Sequence, residues 1–250
     1  MDDAFALLKK YTDRVGPDYG TEDFCIFMYA LAKMQKPKVA LELGTGLGAT
    51  AFWLARAMVE NGAGHVWTVD NGSHWLEMQA ETGRPSALTE SERALDYAQF
   101  FSSCVDKFGL SGCITLLQVD MPPYPILDEK IDVLFYDYRH SPIEIMKLLI
   151  EFLPRMSHGA SIFMDRVSTT FDSYVFLEHL IGLFNAGKVP LLMTESMDDE
   201  KRDRFLGIVR NSTFTLSHVT ERKNRKQNSC AWLKIEPIDI VPHPRTTMFF

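Results

Sequence analysis

Acidic residues lie at the ends of successive short apolar runs along this chain. Runs of this kind indicate buried strands, and in an open parallel sheet ligands bind where the carboxyl ends of the strands meet. A lone aspartate is also a common turn residue, so the repetition, rather than any one carboxylate, predicts a binding edge lined with acids. The residues concerned are Glu42, Asp70, Asp120, Asp137 and Asp165.

Three glycines follow the first of these carboxylates, in the stretch Gly-Thr-Gly-Leu-Gly at 44–48. They permit a tight turn and a close approach of the backbone to a ligand. With Ala49 they satisfy the dinucleotide pattern G-x-G-x-x-[G/A], and Asp70 follows at about the distance expected of a ribose ligand. The Gly-Lys-Ser/Thr ending of a phosphate-binding loop does not follow, which excludes that class.

Glu42 distinguishes between the remaining ligands because it lies two residues before the first glycine. A carboxylate there repels a pyrophosphate, whereas it attracts a ligand with ammonium and sulfonium groups. The pattern therefore favours a methyl donor with a positive sulfur over a nicotinamide dinucleotide.

Strand-like and helical segments alternate over residues 37–184, which predicts an α/β fold with a doubly wound, mostly parallel sheet. Two β-rich segments follow with no room for a helix between them, and we expect them to pair as an antiparallel hairpin that completes seven strands. The predicted parallel strands are 38–43, 65–70, 113–120, 131–137 and 160–165, and the hairpin strands are 188–194 and 204–211. The predicted helices are 3–14, 21–35, 49–60, 89–109, 142–154 and 169–184.

The length of 250 residues suits one large domain. We expect N-terminal helices over 1–36, a core over 37–211 and a C-terminal extension over 212–250. Within the extension, 230–238 is a candidate edge strand.

The composition limits the partners of the protein. A net charge of −7 argues against nucleic acid, since binding to phosphates requires a basic face. The first twenty residues lack a signal-peptide pattern, and no apolar run is long enough to span a bilayer. Four scattered cysteines fit buried thiols in a reducing compartment. We therefore expect a cytoplasmic protein with a small-molecule substrate, no membrane partner and the possibility of a homo-oligomer.

Five motifs in order resemble those of class I S-adenosylmethionine-dependent methyltransferases, over residues 37–211. The first is "LELGTGLGAT", followed by "VWTVD", "LLQVDMP", "DVLFYD" and "ASIFMD". The resemblance implies a Rossmann-like methyltransferase fold and S-adenosylmethionine as cofactor. It implies that Asp70 binds the ribose hydroxyls and that Asp120 and Met121 contact adenine. The full predicted donor site is Glu42, Gly44, Thr45, Gly46, Gly48, Asp70, Asn71, Asp120, Met121 and Asp137.

The stretch 135–167 resembles a narrower group, the small-molecule O-methyltransferases of catechol and of sugar or antibiotic-tailoring type. Asp137, His140 and Ser141 match the D, H and S of the motif "DGDHSYE". In metal-dependent members the acids that end the fourth and fifth strands bind magnesium, which implies Asp137 and Asp165 as ligands here. Two arginines depart from that pattern: Arg139 replaces an aspartate and Arg166 an asparagine ligand. Because guanidinium groups repel a cation or pair with its carboxylates, a magnesium requirement stays open.

His140 is the candidate general base, together with Asp137 as the catalytic pair. A neutral imidazole can take the proton of a hydroxyl nucleophile as the methyl group transfers. Its alternative role is to cap the helix that begins at 142 or to bind a carboxylate as part of the scaffold. The leading hypothesis is therefore an O-methyltransferase. The alternatives are a nicotinamide-dependent oxidoreductase and a non-catalytic binding subunit with a methyltransferase-like fold.

Overall fold

The computed structural model describes residues 3–19, 22–80, 87–125, 127–220 and 229–238. The helices are α1 Asp3–Tyr19, α2 Glu22–Gln35, α3 Ala49–Asn61, α4 Trp75–Ala80, α5 Glu90–Arg93, α6 Tyr97–Lys107, α7 Pro142–Phe152, α8 Phe171–Asn185 and α9 Asp199–Asn211. The strands are β1 Val39–Leu43, β2 His65–Val69, β3 Ile114–Leu117, β4 Ile131–Tyr136, β5 Met156–Asp165, β6 Ser212–Thr220 and β7 Ser229–Pro237. Short 3₁₀ turns cover Leu153–Arg155 and Leu191–Met193.

The strands form one seven-stranded sheet in the order β3-β2-β1-β4-β5-β7-β6. The first five strands are parallel, and β7 is antiparallel to both of its neighbours. This confirms the predicted fold class. The strand order reverses between β1 and β4, and in such sheets a crevice for ligands opens at that point.

Helices cover both faces of the sheet, and each face has its own apolar layer. Side chains of α1, α2, α3 and α6 pack on one face, which includes Ala40, Val66, Phe135 and Phe163. Side chains of α7, α8 and α9 pack on the other. In the described ranges, no helix is long and apolar enough to cross a membrane.

The predicted hairpin strands, 188–194 and 204–211, are wrong. The first segment contains a 3₁₀ turn, and the second lies in α9. Asp198 caps α9 by accepting a hydrogen bond from the Lys201 amide at 2.7 Å, and Asp199 and Glu200 occupy its first turn, which favours a helix. The antiparallel hairpin is made instead by β6 and β7. The sheet therefore extends to Pro237, within the range 212–250, where the sequence predicts a C-terminal extension.

Two other predictions need correction. The predicted helix 89–109 is interrupted after α5, although its expected capping box between Thr89 and Glu92 is present. Asp96 starts α6 with a second capping box, through Gln99, and this second start signal explains the break. The predicted edge strand 230–238 corresponds to β7, which lies inside the sheet, and β6 forms the edge.

Candidate active site

The register of the sheet brings the predicted acids to one face and one edge. Glu42 pairs with Thr68 of β2 and with Phe135 of β4. Since side chains alternate along a strand, a residue two positions beyond Phe135 lies on the same face. That residue is Asp137. In β5, Phe163 pairs with Phe135, and Asp165 lies two positions beyond Phe163, on the same face. The acids therefore share the face covered by α1, α2, α3 and α6.

The glycine turn connects β1 to α3 and touches the end of β4. Gly44, Gly46 and Gly48 all have positive φ, at 98°, 51° and 78°. A Cβ atom on Gly44 would lie 2.2 Å from the carbonyl oxygen of Asp137, so only glycine fits between the two strand ends. Gly48 is the cap residue at the start of α3. The turn is therefore packed directly against the end of β4, at Asp137.

Glu42 is buried beneath this turn, and only 1 % of the residue is exposed to solvent. The Thr68 hydroxyl donates a short hydrogen bond to its carboxyl group, and the Thr45 hydroxyl lies 2.5 Å from that of Thr68. Burial raises the pKa of Glu42 to about 8, against the effect of the hydrogen bond from Thr68. Without a ligand, the group therefore holds its proton at neutral pH, and a cation beside it would favour ionisation.

Asp70 joins the glycine turn to the loop after β2. One of its carboxylate oxygens accepts a hydrogen bond from the Gly46 amide at 3.0 Å, and the other accepts from the Gly72 amide at 2.7 Å. The Asn71 side chain, next along the same loop, donates at 2.8 Å to the carboxylate of Asp120 in the loop after β3. Met121 is buried in the apolar layer of the opposite face. The described contacts thus connect Gly46, Asp70, Asn71 and Asp120 at the ends of β1, β2 and β3.

Two tyrosines that the sequence reasoning missed hold the glycine turn from below. The Tyr97 hydroxyl donates to the Gly46 carbonyl at 2.9 Å, and the Tyr11 hydroxyl donates to the Leu47 carbonyl at 2.5 Å. They come from α6 and α1, 51 and 36 residues away along the chain. No local pattern indicates such contacts. The polar Thr68 inside an apolar strand was the one sequence signal for a partner of Glu42.

The acceptor side of the edge is a compact cluster of Asp137, His140 and Asp165. Each side chain offers an atom within 4.8 Å of those of the others, and His140 Nε2 lies 3.9 Å from Asp137 Oδ1. Burial and the Asp137 carboxylate raise the pKa of Asp165 to about 8, and burial also raises the pKa of Asp137. Burial lowers the pKa of His140, although the Asp137 carboxylate opposes that shift.

His140 itself is fixed by the start of α8. The Ser173 hydroxyl donates to its backbone carbonyl, while its Nδ1 atom is buried without a hydrogen-bond partner among the described residues. Ser141, at the N-cap position of α7, makes no side-chain capping hydrogen bond, and the contacts of the described residues include none from the His140 imidazole to that helix. A neutral imidazole with one unused nitrogen is therefore present at the edge of the sheet.

A family model described as a methyltransferase domain matches residues 41–167, which is just over half of the chain. The chain belongs to this methyltransferase family. The match includes Glu42, the glycine turn and the cluster around His140, and it confirms the family that the motifs indicate. No curated protein matches the methyltransferase.

Solved structures resemble the methyltransferase over nearly its whole length. An O-methyltransferase of Streptomyces achromogenes, TomG, involved in tomaymycin synthesis and complexed with SAM, is 15% identical, with a TM-score of 0.51 and coverage of 94% of this chain and 91% of that one. A Bacillus cereus O-methyltransferase in complex with SAH is 14% identical, with a TM-score of 0.52 and coverage of 94% and 92%. The SAH-bound Podospora anserina methyltransferase PaMTH1 is 14% identical, with a TM-score of 0.53 and coverage of 94% and 89%. At these identities the likeness establishes the fold.

The acceptor cluster of the methyltransferase does not fit the magnesium ion that the resemblance implies. Its third donor is an imidazole, whereas magnesium prefers oxygen ligands. Arg166 Nε lies 3.2 Å from Asp165 Oδ2, one of the oxygens that an ion would need. Two unit charges 4 Å apart interact by about 4 kcal/mol at an effective dielectric constant of 20. The repulsion between the Arg166 guanidinium and a divalent ion at that distance is twice as large.

Tyr97→Phe is expected to weaken donor binding about 3- to 10-fold, the effect of losing one net hydrogen bond. Without the phenol, the Gly46 carbonyl loses its partner and the turn is held less firmly. Calorimetric titration with S-adenosylmethionine measures the change. Tyr29→Phe is the matched control, because the Tyr29 hydroxyl binds Glu60 away from the site. Equal affinities for the two variants would contradict the role of Tyr97.

Proposed function

We propose that this methyltransferase transfers the methyl group of S-adenosylmethionine to a hydroxyl oxygen of a small molecule. The observation that carries the proposal is the enclosed Glu42 carboxyl group directly below the glycine turn, since it suits a ligand with ammonium and sulfonium groups. The structural relatives complexed with SAM or SAH support the same donor.

The donor-side residues bind different parts of the cofactor. The glycine turn and Thr45 face its methionine end, with Glu42 as the counter-charge. Asp70 binds the ribose hydroxyls: each of its oxygens accepts one backbone hydrogen bond and has capacity for another. Asn71 and Asp120 lie further along the edge, toward the adenine, with Met121 as the apolar neighbour of the ring.

On the acceptor side, the reaction is an in-line displacement at the methyl carbon. The acceptor oxygen forms the new bond as the carbon–sulfur bond breaks, and S-adenosylhomocysteine leaves with the electron pair. The hydroxyl proton passes to the imidazole of His140, and the Asp137 carboxylate nearby stabilises the resulting imidazolium. The protein contributes mainly by holding the oxygen and the methyl group in line.

His140→Gln is expected to lower kcat about 100-fold, since glutamine cannot accept the proton. The dissociation constant of S-adenosylmethionine is expected to stay unchanged, because the substitution lies on the acceptor side. His74→Gln is the control, as His74 is exposed and pairs only with Glu77 among the described residues. A kcat equal to that of the wild type would assign His140 to the scaffold.

The decisive experiment combines binding with turnover. Titrations with S-adenosylmethionine and with NAD come first, followed by transfer from the labelled donor to a panel of phenols and sugars. Binding of the donor with transfer to a hydroxyl supports the proposal. Binding of NAD instead would favour the oxidoreductase, and donor binding without transfer to any panel member would favour a binding subunit.

A further inference from the structure

Arg166 follows directly after β5 and has an unusual backbone conformation. Its φ is 56°, in the left-handed region that residues with a side chain rarely adopt. Its amide donates to the carbonyl of Ser229 in β7 at 2.8 Å. Its own carbonyl accepts from the amides of Thr169 and Thr170, each at 3.1 Å. The backbone is thus fixed on both sides, and the side chain is directed back toward the carboxylate that precedes it.

The guanidinium group lies against the acceptor cluster. Arg166 Nε is 3.2 Å from Asp165 Oδ2, and its charge acts on both Asp137 and His140. The Asp165 side chain is 12 % exposed, so this ion pair is poorly screened by water on the carboxylate side. A positive charge therefore stands where the two carboxylates converge.

The second arginine near the cluster does not share this position. Arg139 Nη1 is 4.0 Å from Glu144, and its guanidinium lies 5.0 Å from the centre of the Tyr138 ring. Its side chain is 54 % exposed. The two arginines thus form a matched pair: the Arg166 side chain, 40 % exposed, lies against Asp165, whereas Arg139 lies against Glu144 and Tyr138.

We infer that Arg166 is the resident cation of the acceptor site and that methyl transfer here proceeds without a divalent metal ion. The inference rests on the proposed function for the reaction, but the exclusion of metal is a property of the folded protein alone. The guanidinium places a positive charge beside the paired acids, and its Nε lies 3.2 Å from an Asp165 oxygen that an ion would require, although no hydrogen bond joins these two atoms.

Binding of Mn²⁺ tests the inference, because this ion accepts both oxygen and imidazole ligands and its free form is measured by electron paramagnetic resonance. Four proteins are compared: the wild type, Arg166→Asn, Arg166→Lys and Arg139→Asn. Asparagine tolerates positive φ and offers a neutral oxygen ligand, so Arg166→Asn is expected to fold. Because the substitution removes the repulsion between the guanidinium and the ion, the variant is expected to bind Mn²⁺ at least about 10-fold more tightly than the wild type. Arg166→Lys keeps the charge, and Arg139→Asn leaves the cluster intact, so both are expected to resemble the wild type.

Tight binding of Mn²⁺ by the wild type, with activity lost in EDTA and restored by the metal, overturns the inference. So does equal binding by wild type and Arg166→Asn, provided that circular dichroism shows both folded. Wild-type activity that survives EDTA supports it. If the methyl-transfer proposal itself fails, no labelled methyl group reaches any acceptor of the panel, while the comparison of Mn²⁺ binding keeps its meaning.

Discussion

Gly44→Ala is expected to lower the free energy of unfolding by about 2–5 kcal/mol and to abolish measurable donor binding. The new Cβ atom would lie 2.2 Å from the carbonyl oxygen of Asp137, and both partners are backbone at strand ends, which cannot move cheaply. Separation of β1 from β4 relieves the overlap, but it opens the crevice where the donor binds. Chemical denaturation and titration with S-adenosylmethionine measure the two effects.

Gly62→Ala is the matched control for this prediction. Gly62 also has positive φ, 71°, but nothing lies within 4 Å of its Cβ position. Gly62→Ala is therefore expected to lower the free energy of unfolding by about 1 kcal/mol, the cost of the left-handed backbone conformation alone, without a steric clash. If the two variants lose equal stability and Gly44→Ala still binds the donor, the close approach of the glycine turn to β4 is not what shapes the site.

Glu42→Gln is expected to weaken donor binding about 10- to 100-fold, the effect of losing a hydrogen bond to a charged group. Glutamine keeps the size of the side chain and can still accept from Thr68, so the turn stays in place. The loss of donor affinity therefore measures the contribution of the Glu42 charge rather than that of the side chain's shape. An affinity equal to that of the wild type would remove the observation on which the choice of donor rests.

The pH dependence gives an independent reading of the same residue. The folded-state pKa of Glu42 is raised to about 8, above its unfolded value, so the folded protein retains a proton that the unfolded chain loses. Between about pH 4.5 and 8 this group makes stability fall as the pH rises, by at most about 1.4 kcal/mol per unit. Affinity for a cationic donor is expected to rise over the same range, as the bound state requires the ionised carboxylate. Glu42→Gln should lack both slopes, and it should be more stable than the wild type above pH 8 in denaturation experiments.

The parallel half of the fold was predictable from the sequence because its signals are local. Strands β1 and β4 are largely apolar, with Glu42 near the carboxyl end of the first and Asp137 directly after the second. Since parallel strands place those residues side by side, the proximity of Asp137 and Asp165 followed from topology alone. The proximity of Asp70 to the glycine turn, and of Asn71 to Asp120, followed for the same reason.

The antiparallel half was not predictable in the same way, since its segments carry competing signals. The α9 segment contains Phe205, Ile208 and Val209, residues of types common in strands, but only Phe205 and Val209 are buried, at the spacing of one helical turn. The missed strand β6 alternates apolar and polar residues, which is a weaker local signal than a continuous run. The contact of Tyr97 with the glycine turn, and that of the Arg166 amide with Ser229, depend on long-range packing, which no spacing in the sequence encodes.

The position of β7 has a consequence for synthesis of the chain. β5 is complete at Asp165, but its neighbour β7 begins only at Ser229, and the intervening β6 does not pair with β5. A nascent chain that has left the ribosome as far as β6 therefore has an open β5 edge, which can pair with strands of other chains. Strands β1 to β3 and their helices can fold before β7 is synthesised. The Arg166 amide, in contrast, cannot form its hydrogen bond to Ser229 until β7 has been made. We expect that chaperones which shield strand edges matter most for this protein in the interval between synthesis of β5 and synthesis of β7.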